Sequence, residues 1–182
     1  LYSVPHNPPP PTRSSLVLPV IIWIILLACC LPELTLMAAD YGLIGSARWR
    51  PLAYENGGFW AGLLHGWQPN YTAQPVTMFF SYSFLSAGPG HLLGNMAVLI
   101  GLGPIVQERL GSLGFAALYS ISALGGAVAF GLISHSSAPM VGASGALFGL
   151  AGAWVVMDWR QCRQTTAPWR AMLRLLGITA GL

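Results

Sequence analysis

The chain has 182 residues, 54% of them hydrophobic and only 7% charged, with a net charge of +3 and a mean hydropathy of +0.62. Soluble domains carry about a quarter charged residues, so this composition excludes a soluble globular domain, and the sparse, dispersed arginines exclude a nucleic-acid surface. Hydrocarbon offers no water to satisfy backbone groups, which leaves helices or a closed barrel; the long apolar runs without alternation select helices.

Residues 1–15, with Pro8 to Pro11 in a row, read as a disordered, proline-rich cytoplasmic tail in polyproline conformation. Residues 16–182 read as the membrane domain, expected to be incomplete at its carboxyl end because Leu182 falls inside an apolar segment. From Leu16 to about Ala39 the run is apolar except for Glu33 and satisfies the ~20 residues needed to cross a bilayer. Pro32 is expected to kink this first span or end its regular part, leaving Glu33 near the far interface. Cys29 and Cys30 lie in this run and Cys162 in a polar loop, an odd count that gives no disulfide framework and reads as packing residues.

Residues 40–75 form a long connection with an aromatic stretch from Phe59 to Trp67, whose tryptophans favour the lipid headgroup level. A second helix is expected from about Gly90 to Val106, ending at the polar turn Gln107 to Ser112. A third covers about Leu113 to Ser134, the turn containing His135 ends it, and a fourth runs from near Val141 to Asp158. A fifth begins near Ala171. With alternate loops on the same side, Arg13, Arg109, Arg160, Arg163, Arg170 and Arg174 fall together against Arg48 and Arg50. The positive-inside rule then places the amino terminus in the cytoplasm and the aromatic loop outside.

Two polar groups stand out in this apolar setting. Gly142-Ala143-Ser144-Gly145 opens the fourth helix, and His91 and Asn95, spaced i, i+4, share one face near the outer end of the second. From Gly142 to Met157 the fourth helix offers sixteen residues, roughly 24 Å at 1.5 Å per residue and short of the ~30 Å hydrocarbon layer. The end bearing Ser144 is therefore expected to be recessed into a water-filled pocket. A serine at a helix amino terminus has free N–H groups and the positive end of the dipole beside it, which suits an oxyanion formed during acyl transfer. Gly145 and Gly149 make a small-residue pair for close helix packing. The plain structural alternatives are a helix-packing surface for the Gly-Ala-Ser-Gly run and a cap or interhelical hydrogen bonds for His91 and Asn95. A nucleophile elbow does not fit, since Ala146 stands where the second glycine is required. The histidines and cysteines do not cluster at ligand spacing, so no metal is expected, nor any cofactor.

His91-x-x-x-Asn95, Gln107-Glu108-Arg109-Leu110-Gly111-Ser112 and Gly142-Ala143-Ser144-Gly145-Ala146-Leu147-Phe148-Gly149, in that order and spacing, resemble the rhomboid family of intramembrane serine proteases. The resemblance implies an all-α, polytopic bundle with about five helices of a six-helix core in this sequence. It implies a nucleophile at Ser144, oxyanion donors from His91, Asn95 and the Gly142 region, helix packing at Gly145, Phe148 and Gly149, and for Phe148 the place where the family sets an aromatic ring against the catalytic histidine. Its substrates are transmembrane helices cut near their outer ends. In that family a histidine on the sixth helix is the general base; His6, His65 and His135 do not match it. The family's Trp-Arg pair in the first loop, which would fall near Thr77 and Met78, is absent there, and Gln107 holds the acidic position after the second helix. Two functions follow: a serine protease using a Ser/His dyad, or a non-proteolytic relative that binds transmembrane helices or serves a larger membrane assembly. The expected location is a multi-pass position in the lipid bilayer, taken as the bacterial inner membrane.

Overall fold

The computed structural model describes residues 18–134 and 136–164, the side chains of 162–164 excepted. The tail 1–15, His135, the side chain of Cys162 and the helix expected near Ala171 lie outside the described residues. Within them the chain is all-helical apart from one isolated bridge, Phe59 to Met140.

Helix α1 (Val20–Asp40) begins directly after Pro19 and runs on through Pro32, which neither ends it nor exposes Glu33. Its buried residues, Ile22, Ile25, Cys29, Glu33 and Leu36, recur every three or four positions and so form one stripe facing the bundle. The opposite face is also apolar, with Ile24, Leu27, Leu31 and Leu34 exposed, as a helix surrounded by lipid requires. Glu33 is fully buried, because Arg50 reaches it from the next element.

The connection expected as an interfacial loop over 40–75 contains helix α2 (Trp49–Gly57) and a 3₁₀ turn at Ala61–His65, and at its end begins a further helix, α3 (Gln74–Ser81), followed by a 3₁₀ turn at Tyr82–Phe84. Its centre is Phe59, fully buried, with the rings of Phe79 at 4.9 Å and of Tyr82 and Phe130 at 6.1 Å, all edge-on. Edge-to-face stacking of this kind fixes the segment against the bundle beyond what area burial alone provides.

Helix α4 (Pro89–Ile133) has 45 residues, far more than one crossing needs. Gly111 divides it: φ 70°, ψ 171° is a backbone state that glycine adopts without a Cβ penalty. The helical turns of the first arm continue through Gln107 to Leu110, so the break falls later than the polar residues suggest. In the first arm Leu92, Met96, Leu99, Gly103 and Val106 face inward; in the second Phe115, Tyr119, Ala123, Ala127 and Gly131 do. Pro104 sits in the first arm without breaking it.

Helix α5 (Ser144–Gln164) packs along both arms. Gly142 beside it approaches His91 of the first arm, Gly145 approaches Gly126 of the second, and at the far end Arg109 donates to Gln161 at 2.8 Å. The two arms of α4 are therefore antiparallel, with α5 between them. α5 starts at Ser144 and has 21 residues, about 30 Å. The residues beyond Met157, among them Asp158 and Arg160, are largely polar, so the helix outlasts its apolar run, while the second arm of α4 continues from Gly126, opposite Gly145, to Ile133, about 10 Å past the start of α5.

Candidate functional site

Local sequence explains how the chain turns into α5. Gly142 has φ +126°, which L side chains rarely adopt, and its N–H donates to the Tyr82 carbonyl at 2.8 Å. Tyr82 is itself locked: it is 1% exposed and its hydroxyl donates to the Ala123 carbonyl at 2.7 Å. One tyrosine thus ties the segment before Ser144 to the second arm of α4. A Cβ on Gly142 would overlap His91 Cε1 and lie 3.0 Å from His91 Nε2 and 3.5 Å from Asn95 Nδ2. Glycine is required here twice over, by backbone angle and by the closeness of two side chains. Because its N–H is already spent on Tyr82, Gly142 supplies room rather than an oxyanion hydrogen bond. The N–H groups of Ser144 and Gly145, at the first turn of α5, have no helical carbonyl to meet.

His91 and Asn95 lie one turn apart on the first arm, with His91 Nε2 and Asn95 Nδ2 3.3 Å from each other. The ring's other nitrogen, Nδ1, accepts the N–H of Ala87 at 3.1 Å and is 3.3 Å from the Ser86 hydroxyl. An N–H aimed at Nδ1 requires a lone pair there, so the neutral ring carries its proton on Nε2. Nε2 lies within hydrogen-bond distance of the Asn95 amide, so the two polar groups stand side by side.

Asn95 and Ser144 line one groove of about 660 Å³ between the first arm of α4 and α5, with Val98, Leu102, Leu147 and Phe148 along its apolar walls. Gly145 and Gly149 face the other way. A Cβ on Gly145 would come 3.0 Å from the Tyr82 hydroxyl, and one on Gly149 would run into Oγ and Cβ of Ser122. Phe148 is 74% exposed and stands at the groove. Of the remaining histidines, His65 lies in the 3₁₀ turn with Nε2 3.3 Å from the Gly131 carbonyl. Among the described residues no group of His, Cys, Asp and Glu side chains is placed to hold a metal.

Sequence reasoning missed the support beneath the site. The Arg50 guanidinium makes a two-pronged contact to Glu33, 3.0 Å on each prong, and its Nε donates to Asp40 at 2.6 Å. The hydrogen-bonded Glu33 carboxylate raises the Arg50 pKa further above its ordinary value in spite of desolvation. Arg50 is half of a Trp49-Arg50 pair, well before Thr77 and Met78 where such a pair was sought. The available signal was Glu33 itself, since a lone acid in a membrane span calls for a named partner.

Residues 73–182 match the family model of the rhomboid domain. Over 78 residues, 43% of this chain, it is 41% identical to RHOMBOID-like protein 1 of Arabidopsis thaliana, covering 20% of that protein. Over 107 residues, 59% of this chain, it is 35% identical to RHOMBOID-like protein 2 of the same plant, covering 28% of it. The matched stretches thus span less than a third of these relatives. No solved structure matches the chain. Since the family model takes in more than half of the residues and contains α3, α4 and α5 whole, this integral membrane chain belongs to the rhomboid family.

Proposed function

We propose that this chain carries the nucleophile and oxyanion site of an intramembrane serine protease. The observation that supports it most is the shared groove: Ser144 opens onto the same space as Asn95, while Gly142 leaves clearance for the His91 ring beside it. Ser144 Oγ attacks the scissile carbonyl carbon and gives its proton to a base. The carbonyl oxygen, now negative, takes hydrogen bonds from His91 Nε2, the Asn95 amide and the free N–H groups of the first turn of α5. Collapse expels the amine, which takes a proton from the base, and water then cleaves the acyl-enzyme. The resemblance assigns the base to a histidine on a further helix, and the open groove beside Ser144 has room for one. Substrates are transmembrane helices unwound near their outer ends, where the site lies.

The arginine bias supports an amino terminus in the cytoplasm and a site opening to the opposite face. Plant relatives give no support to a bacterial inner membrane, and the proposal concerns only the side. A cysteine placed at the loop position Gly66 should react with an impermeant maleimide in intact cells; protection until permeabilisation would reverse the orientation.

A second reading, a non-proteolytic relative that binds transmembrane helices alone or within an assembly, draws on one observation. Among the described residues His65 is engaged with the Gly131 carbonyl in the first loop, and His91 with the Ala87 N–H and the Asn95 amide. Labelling with a fluorophosphonate separates the two. The protease reading expects the wild-type protein to be labelled and Ser144→Ala to lose all labelling. A folded full-length protein that resists the probe favours the binding reading.

A further inference from the structure

The His91 ring is held from behind by a turn, and that turn is held by a chain of polar contacts reaching into the first span. The Tyr54 hydroxyl donates to the Ser86 carbonyl at 2.6 Å. On its other side the same oxygen accepts from Arg50 at 3.2 Å, and Arg50 is gripped by Glu33 of α1 with both prongs. Ser86 is 2% exposed, and its hydroxyl donates to the Gly88 carbonyl at 3.3 Å, closing the turn on itself. The next N–H, that of Ala87, lands on His91 Nδ1. Each of these links has a defined donor, and the one between Arg50 and Glu33 joins opposite charges.

We propose that Arg50 and Tyr54 are positioning residues for His91: anchored on Glu33, they fix the 86–88 turn so that its N–H keeps Nδ1 as an acceptor and Nε2–H directed toward the space beside Ser144. The consequence for rate rests on the protease reading; the control of the ring does not. Glu33 supplies a fixed point because a buried carboxylate cannot leave its guanidinium without a large desolvation cost. Arg50 transmits it because the planar fork engages Glu33 through two nitrogens while one of them also meets Tyr54. A device that merely stapled α2 to α1 would need Glu33, Arg50 and Asp40 alone. The hydroxyl of Tyr54 adds nothing to that staple, yet it makes the link to the turn behind the ring.

The experiment uses the full-length protein in detergent, with ¹⁵N-labelled histidine and the variants Tyr54→Phe and Arg50→Lys. The wild type should show His91 as a single Nε2–H tautomer, and Tyr54→Phe, which removes one oxygen and keeps the ring, should turn it into a tautomer mixture. The same variant should lower kcat or the rate of serine labelling about tenfold with KM unchanged, well below the about 10²–10³ lost when an oxyanion donor is removed outright. In a His91→Ala background it should cost nothing further. A tautomer signature untouched by Tyr54→Phe, or an equal loss with and without His91, overturns the proposal. If the tautomer shifts while wild-type protein shows no Ser144-dependent labelling, the positioning chain stands and the protease reading falls. Arg50→Lys keeps charge but not the fork, so it should reproduce the tautomer change; retention of the wild-type signature in a folded Arg50→Lys protein removes Arg50 from the chain.

Discussion

The two faces of α5 are built on opposite plans. Toward the second arm of α4 the helix presents glycine to glycine and glycine to serine, Gly145 to Gly126 and Gly149 to Ser122, so closely that a single methyl has no place to go. Toward the first arm it presents Ser144, Leu147 and Phe148 to an open groove of about 660 Å³. In lipid there is no hydrophobic force between helices, and close approach of small residues supplies the packing energy instead. One face therefore fixes where the helix starts, and the other leaves its first hydroxyl accessible. A catalytic serine needs both: a rigid mount and an unobstructed approach.

If that division is right, the largest effect belongs to the residue at the boundary between the faces. Gly142→Ala places a methyl on His91 and forces a left-handed backbone on a residue that resists it. It should cut Ser144 labelling by about 10² or more, comparable to loss of an oxyanion donor, while thermal unfolding remains cooperative. Labelling near the wild-type rate would show that His91 and Gly142 do not meet as described. Next comes the closed face. Gly149→Val drives branched carbons into Ser122 and should destabilise the bundle by about 1–3 kcal/mol, the usual range for overpacking, read as a lower unfolding midpoint in detergent. A midpoint unchanged within about 0.5 kcal/mol would mean that the glycine seam is looser than its contacts indicate.

How much of this was legible before the structure differs between the same two faces. The small-residue stripe at Gly145 and Gly149 is a pattern along one helix, and so are His91 and Asn95; periodicity finds both. Helix topology puts His91, Asn95 and Ser144 at one membrane level, but nothing in local sequence says that residue 91 meets residue 142. The end of α5 was read too early: the helix continues through the polar Asp158 and Arg160 to Gln164, where helical hydrogen bonding outlasts the apolar run. The turns of α4 beyond Gly126 overshoot the start of α5, and the hydropathy of either helix alone does not reveal that offset. Helices α2 and α3 were hidden because Gly57, Pro69 and Pro75 punctuate the region; yet Gly57 closes α2 and Pro75 sits in the first turn of α3, where a missing N–H costs nothing. The partner of Glu33 stayed hidden, because a residue seventeen positions away on another element leaves no periodic trace.

The smallest expected effect tests the open face. Phe148 is 74% exposed, so Phe148→Ala removes a ring that makes little contact and should change stability by less than about 0.5 kcal/mol. A buried phenylalanine loses about 3–5 kcal/mol on the same change. Denaturation of the full-length protein therefore reads directly whether the groove stays open. A loss near the small value leaves the groove as space for an incoming chain, and the phenyl ring as part of its wall. A loss near the large value means that another helix already covers Phe148, so access to Ser144 has to come from a different side. The contrast between a closed and an open face of α5 would then shrink to the few ångströms around Ser144 itself, where Gly142 keeps the wall away from His91 and Asn95.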